Sequence, residues 1–192
     1  DAHPEYFSEV NGKRLREGGQ LCPTHPEVVR LVTERVRQLL RDHPEATVIS
    51  VSQVDGNANY CRCRRCAALD EAEGSHAAQV LQLVNRVAAG IAEEFPDRAV
   101  STLAYQWSRR PPKTIRPRDN VIVRLSTIRC SFSEPLATSD QRPNRAFRRD
   151  LTGWARICRR LWVWDYTTYF SYYMLPWPNY RVLDDNLRFF VA

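Results

Sequence analysis

Short apolar runs rich in β-branched residues alternate along the chain with longer segments in which apolar residues recur every three or four positions. The short runs cover residues 47–53, 100–105, 120–125 and 161–166. Runs of this kind are typical of buried strands, whereas the three-and-four spacing is typical of one face of a helix. The pattern therefore predicts four strands, separated for the most part by helices.

The helical spacing occurs in four segments. The first should begin at Thr24-His25-Pro26-Glu27, a capping-box pattern, and end at Asp42 ahead of Pro44. A second follows Gly74-Ser75 and ends before Pro96, and two more are predicted over 145–159 and 180–190. No helical pattern fits between the second and third strands.

This order of elements predicts an α/β fold with a mostly parallel sheet. A complete eight-stranded barrel takes about 250 residues. The prediction is therefore a partial (β/α) TIM-barrel-like domain, about half of a barrel, forming a single domain over residues 1–192. Because the chain begins at Asp1 without a methionine and ends without a polar tail, we expect it to be an excerpt from a longer protein.

The amino-acid composition of the chain limits the kinds of partner that it is expected to bind. The chain is 43% hydrophobic and 26% charged, which is ordinary for a folded domain with a core. No apolar run approaches the roughly 20 residues of a membrane helix, so we expect no membrane span. The net charge is +6, and the excess is arginine scattered beside acidic residues, which disfavours nucleic-acid binding.

Polar and aromatic residues gather where the four predicted strands end, and Arg129 and Cys130 follow the third. The site candidates are Gln53 and Asp55, then Tyr105 and Trp107, then Trp164, Asp165 and Tyr166. The carboxyl ends of parallel strands are where α/β folds bind ligands. Aromatic rings pack on the apolar faces of sugars while polar groups bind the hydroxyls, so this mixture favours a glycan.

Asp55 and Asp165 could form the pair of carboxylates that a glycosidase needs. Gly56 would let the backbone turn sharply beside a ligand bound at Asp55. The alternative is structural: each aspartate caps a helix or pairs with an arginine, and the rings pack in the core or in loops.

The loop after the first strand contains three cysteines in a C-x-C-x-x-C pattern. Cys61, Cys63 and Cys66 could be three ligands of a structural zinc, with Cys22 or Cys130 as the fourth. Disulfides and free thiols are the alternatives. No glycine pattern typical of a phosphate or dinucleotide loop is present, and no serine lies in a nucleophile elbow, so we expect no organic cofactor.

Several longer stretches resemble one bacterial family. They are HPEYFSEVNGKR, QLCPTHPEV, VISVSQVDG with CRCRRC, STLAYQWSRRPP, LWVWDY and LPWPNYRVLDDNLRFF. Together they resemble the domain-of-unknown-function family numbered 4838, which is grouped with glycoside hydrolase family 163.

The resemblance implies a glycosidase-like barrel related to endo-β-N-acetylglucosaminidases that act on complex N-glycans. It also implies a secreted, periplasmic or cell-surface protein, with a further acidic residue on a strand beyond residue 192. The family has asparagine before the aspartate of the first strand, where this chain has Val54, so we expect one polar contact to the sugar to be missing.

The sequence by itself is compatible with two functions. The first is a glycoside hydrolase that uses the strand-end aspartates and the aromatic residues. The second is a non-catalytic carbohydrate-binding or structural domain, in which the cysteine loop acts as a zinc or disulfide staple.

Overall fold

A computed structural model describes residues 2–56 and 58–192, and in those ranges it contains one parallel sheet, one two-stranded hairpin and five α-helices. The strands are β1 (Glu9–Val10), β2 (Lys13–Arg14), β3 (Val48–Ser50), β4 (Ala99–Ala104), β5 (Val121–Ser126) and β6 (Leu161–Trp164). The helices are α1 (Pro26–Asp42), α2 (Arg64–Glu73), α3 (Ala77–Ile91), α4 (Arg142–Ala155) and α5 (Leu183–Val191).

The larger sheet has the order β3-β4-β5-β6, and every neighbouring pair is parallel. The order along the sheet follows the order along the chain, so the winding does not reverse. The structure thus confirms an α/β fold with a parallel sheet flanked by helices. Within the described ranges the sheet does not close into a barrel.

Strands β4 and β5 are parallel, although the segment that connects them contains no α-helix. A 3₁₀ turn at Gln106–Ser108 begins this link. The carboxylate of Glu73 then accepts hydrogen bonds from the backbone amides of Thr114 and Ile115, at 2.6 and 3.2 Å. The indole of Trp154 donates to the Arg109 carbonyl at 2.7 Å. Side chains of α2 and α4 therefore replace the usual crossover helix in holding this link.

The two faces of the sheet carry different kinds of side chain. One face is apolar, and residues such as Val100, Val123 and Leu125 pack there with α1, α3 and α4 in the main core. The strand register places the following residues on the other face: Ser50, Ser101, Leu103, Ile122, Arg124, Ser126, Trp162 and Trp164. Trp162 and Trp164 are 50% and 43% exposed, so this second face is partly open. Parallel sheets ordinarily have both faces covered.

Two local predictions need correction. The Thr24 capping box is wrong, because α1 has no side-chain cap at His25 and the Thr24 hydroxyl lies 3.2 Å from the Cys66 sulfur instead. The pattern also missed α2, which ends at Glu73 and is capped by Gly74. This helix buries Cys66, Asp70 and Glu73 rather than an apolar stripe, so it has no hydrophobic periodicity to detect.

Among the described residues, no helix is both long enough and apolar enough to cross a membrane.

Candidate functional site

A cleft of about 200 Å³ lies at the carboxyl end of the parallel sheet, where the open face ends. Its lining residues are Gln53, Asp55, Leu103, Tyr105, Ser126, Trp164 and Tyr166. Five of these were predicted from the sequence, and they come from the ends of three different strands. We call this the strand-end cleft.

Asp55 lies in the turn that follows β3. Its side chain is exposed, and its Oδ1 atom accepts a hydrogen bond from the Gly56 amide at 2.8 Å. Gly56 has φ +131°, which side-chain-bearing residues rarely adopt, so the turn beside Asp55 depends on glycine. The carboxylate is therefore held at the cleft by a local turn and remains open to solvent.

The backbone ahead of Asp55 is held by the side chain of Gln20. The Val54 amide donates to the Gln20 amide oxygen at 2.7 Å, and the Gln20 amide nitrogen donates to the Val54 carbonyl at 3.0 Å. Val54 itself is 56% exposed. Both backbone groups of the residue before Asp55 are thus satisfied from the N-terminal part of the chain.

Gln53 connects β3 to the turn after β4. Its amide nitrogen donates to the Tyr105 carbonyl at 3.2 Å, and its amide oxygen accepts from the Ser108 hydroxyl. Burial raises the pKa of Tyr105, and the Asp55 carboxylate nearby raises it further, although the Gln106 side chain opposes the shift. Tyr105 therefore keeps its hydroxyl proton and can donate a hydrogen bond inside the cleft.

Gln106 is a site residue that the sequence did not reveal. Its φ of +53° is left-handed, which is costly for a residue with a side chain and is frequent at functional sites. Its amide oxygen accepts a hydrogen bond from Arg129 Nε at 2.6 Å. Gln106 thus lies between Tyr105, which lines the strand-end cleft, and Trp107, which does not.

Arg124 on β5 was also missed. Its guanidinium lies over the Trp164 ring at 5.4 Å and donates to the Ser50 hydroxyl at 3.0 Å, so it crosses the open face from β5 to both edge strands. Partial burial lowers its pKa. An arginine inside a mostly apolar strand breaks the local pattern, and such breaks concentrate at functional positions.

Two of the predicted site residues do not line the strand-end cleft. Asp165 Oδ1 accepts hydrogen bonds from the Thr127 hydroxyl at 2.7 Å and from the Tyr166 amide at 3.0 Å, while its Oδ2 is buried without a hydrogen-bond partner. Trp107 lies 5.3 Å from the Tyr60 ring and lines two other cavities. The structure therefore brings Asp55 together with Tyr105, Trp164 and Tyr166 but not with Asp165 or Trp107.

A larger groove of about 400 Å³ runs along the outer edge of β3. Its walls are mostly aliphatic residues of α1, β3 and α3, such as Val36, Ile49 and Leu83. It contains no carboxylate. We therefore place the candidate site in the smaller cleft, which combines a carboxylate with aromatic rings and hydroxyls.

The cysteines form a second, separate group of functional side chains, which we call the cysteine cluster: Cys22, Cys61, Cys63 and Cys66. The four sulfur atoms lie within 4.8 Å of one another, and all four residues are buried. All six cysteines of the chain are within the described residues, and each is a free thiol. The cluster could therefore bind a metal ion, and Cys22 rather than Cys130 is its fourth member.

Cys130 lies apart from the cluster, in the main hydrophobic core, where burial raises its pKa to about 12. Cys158 also packs against that core and has a raised pKa for the same reason. In the cluster, a hydrogen bond with the Cys61 thiol is the main reason that the pKa of Cys22 is lowered, whereas the same contact raises the pKa of Cys61 to about 11.

Comparison with known proteins shows which family the chain belongs to. One family model, described as a domain of unknown function (DUF4838), matches residues 1–192. The chain belongs to the DUF4838 family. No curated protein matches the chain, and no solved structure does. The DUF4838 match covers the strand-end cleft and the cysteine cluster alike, but its description assigns no chemistry to either.

Proposed function

We propose that this DUF4838 domain is glycoside hydrolase-like and that it acts on N-acetylglucosamine-containing glycans at the strand-end cleft. The observation that carries the proposal is the composition of the cleft, in which the Asp55 carboxylate, two tyrosines and Trp164 line one cavity. A sugar ring needs an apolar surface for its C–H face and fixed polar partners for its hydroxyls.

In this proposal each lining residue has a distinct role. Trp164 is partly exposed and would stack on a sugar ring, with Arg124 holding the indole from behind. Tyr105 would donate a hydrogen bond to a sugar oxygen. Asp55 would orient the acetamide of the substrate, so that the acetamide oxygen attacks the anomeric carbon while a second acid protonates the leaving oxygen.

Asp165 remains the candidate within this chain for that second acid. Its Oδ2 atom is buried without a hydrogen-bond partner, and Tyr166, the next residue, lines the cleft. Because Thr127 holds its other oxygen, Asp165 would need to rotate to reach a glycan. A smaller role, in positioning Trp164 and Tyr166, is consistent with the same contacts.

The resemblance to glycoside hydrolase family 163 supports the same proposal. It favours a protein that belongs to the endo-β-N-acetylglucosaminidases, acts on complex N-glycans and is exported from a bacterial cell. The sequential order of the parallel strands is also what half of a (β/α) barrel requires, with the open face as the barrel interior.

A second candidate is a non-catalytic carbohydrate-binding or structural domain, with the cysteine cluster as a zinc staple; the disulfide alternative is contradicted by the free thiols. The observation that favours it is the placement of Asp165 outside the cleft, because the cleft then has a single carboxylate. Such a domain would bind glycans without cleaving them.

Mass spectrometry of glycans released from N-glycoproteins distinguishes the two candidates. The full-length protein should release glycans with one N-acetylglucosamine at the reducing end, and Asp55→Asn should abolish that release. Glycan binding without release, unchanged by Asp55→Asn, would overturn the hydrolase proposal and leave the binding domain. Neither binding nor release would overturn both the hydrolase and the carbohydrate-binding domain and leave a structural domain.

A further inference from the structure

The distances within the cysteine cluster match the coordination of a single ion. The Cys22 sulfur lies 3.7 Å from that of Cys63 and 4.0 Å from that of Cys66. Four zinc–sulfur bonds of about 2.3 Å at tetrahedral angles place the sulfur atoms roughly 3.8 Å apart. A disulfide would need about 2.05 Å. We infer that the cysteine cluster is a structural zinc site with four thiolate ligands, which fastens the N-terminal segment to the loop carrying Asp55.

The surroundings of the cluster supply the hydrogen-bond donors that thiolate ligands need. The Glu9 amide donates to the Cys61 sulfur at 3.4 Å, and Arg14 Nη1 lies 3.9 Å from the same atom. The Thr24 hydroxyl lies 3.2 Å from the Cys66 sulfur. A zinc ion with four thiolates carries a net charge of −2, and these three donors would offset part of that charge, although Arg14 is also 3.3 Å from the Glu9 carboxylate.

All four positions are filled by protein, which indicates a structural rather than a catalytic ion. Catalytic zinc sites keep one position for water or substrate, whereas four cysteine ligands close the coordination shell. The four residues are no more than 8% exposed, so a substrate has no path to the ion. Among the common divalent ions, zinc is the one that typically binds four sulfur ligands in a tetrahedral arrangement.

The ligands come from two distant parts of the chain. Cys22 belongs to the N-terminal segment, residues 2–24, while the other three ligands follow β3. The N-terminal segment is joined along its length to the loop between β3 and α2: Arg62 donates its amide to the Glu9 carbonyl at 2.7 Å, and Asn59 donates its side-chain amide to the Gly18 carbonyl at 2.8 Å.

Gln20 extends this connection to the strand-end cleft. It lies two residues before the ligand Cys22, and its side chain holds both backbone groups of Val54, next to Asp55. An ion bound at Cys22 and Cys61 would therefore fasten the loop on either side of Asp55. This role as a positioning site rests on the proposed function, whereas the zinc site itself does not.

Metal analysis of the purified protein tests the site directly. After dialysis against metal-free buffer, the wild-type protein should retain about one zinc ion per chain by plasma mass spectrometry. Exchange with Co²⁺ should produce the intense visible absorption of tetrahedral cobalt thiolate. Cys22→Ser and Cys66→Ser should each lose most of the metal, and Cys158→Ser, a cysteine outside the cluster, should retain it.

Several outcomes would overturn the site. Wild-type protein that is folded and metal-free with four alkylatable thiols would do so, as would a disulfide between any two of the four, or bound iron with its own thiolate absorption. These measurements use the wild-type chain, so a variant that fails to fold does not remove the test, and none of them depends on glycan cleavage.

The positioning role has its own measurement. Chelation of the ion should increase hydrogen exchange in residues 51–60 as well as at the ligands, while β5 in the sheet centre keeps its protection. Faster exchange confined to residues 61–66 would overturn the positioning role and leave the zinc site intact.

Discussion

The cysteine cluster and the strand-end cleft begin from the same loop after β3, yet they differ in almost every physical property. The four cysteines are buried and contact one another. Asp55, six residues before Cys61, is exposed and is held by the adjacent Gly56 amide. Groups that satisfy one another in the interior stabilise the fold, whereas an exposed carboxylate at the end of a sheet is available for a ligand.

Because of this difference, we expect changes in the cysteine cluster and changes in the strand-end cleft to have different effects. Changes in the cluster should lower the free energy of unfolding, because they leave buried sulfur atoms without their common ion. Changes in the cleft should lower glycan binding or cleavage while the stability stays constant. Gln20 lies between the two regions, since it is close to Cys22 in sequence and bonded to Val54 next to Asp55.

The largest effect should follow removal of a cluster ligand. We expect Cys66→Ser to lower the free energy of unfolding by at least about 3 kcal/mol, because metal-binding energy at a structural site is folding energy. Urea unfolding measures the change, with Cys158→Ser expected to fall within about 1 kcal/mol of wild type. Equal losses in the two variants would show that the cluster has no special role in stability.

The second-largest effect should be on glycan release, without a change in stability. Asp55→Asn should reduce glycan release by about 100-fold or more, as loss of a group that acts in the transition state does. Its unfolding free energy should stay within about 0.5 kcal/mol of wild type, because Asp55 is exposed. Comparing initial rates of release with urea midpoints checks both parts. A variant that is unstable as well as inactive would remove the distinction between the two regions.

Gln20→Ala should give an intermediate loss of about 2 kcal/mol in stability, because it leaves the amide and carbonyl of Val54 without partners. Gln38→Ala is the matched control, since among the described residues the Gln38 side chain bonds only to the exposed Asp42, and its loss should change stability by about 0.5 kcal/mol at most. Chemical denaturation of the two variants is the measurement. No loss in Gln20→Ala would mean that the N-terminal segment does not support the Asp55 loop.

The smallest effect should be on affinity. Trp164→Ala should weaken binding of an N-acetylglucosamine oligosaccharide by about 1 kcal/mol, roughly fivefold in Kd, through loss of ring stacking. Trp162→Ala is a close control, because Trp162 is on the same open face and similarly exposed but does not line the cleft. Isothermal titration of both variants measures the difference. Similar weakening in the two would place the sugar on the open face rather than in the cleft.

The positions of the four parallel strands and of α1, α3, α4 and α5 follow from local patterns. Val28, Val36 and Leu40 define the buried stripe of α1 in the sequence and in the structure alike. The sequence contains one further local signal, which predicts a hairpin. Asn11-Gly12, with φ of +51° and +77°, forms the turn between β1 and β2. Asparagine-glycine is a strong hairpin signal because both residues tolerate left-handed backbone conformations.

The candidate site was predictable only in part, for a different reason. Gln53, Asp55, Tyr105, Trp164 and Tyr166 were predicted from their positions at strand ends, because parallel strands bring those ends to one edge of a sheet. A position at a strand end did not by itself show which side chains face the cleft. Trp164 lines the cleft, whereas Asp165, one residue past the end of β6, contacts Thr127, because side chains alternate between opposite faces along an extended chain.

The sequence by itself determined the α/β class, most of the helices and strands, and the three cysteines that lie close together in one loop, because all of these depend on spacing over a few residues. Only the tertiary structure decided that Cys22 completes the cluster, that Gln20 supports Val54, and that Arg124 lies over Trp164. Those contacts join residues 34 to 44 positions apart in the chain, and such distant pairs are set by how the elements pack rather than by any local pattern.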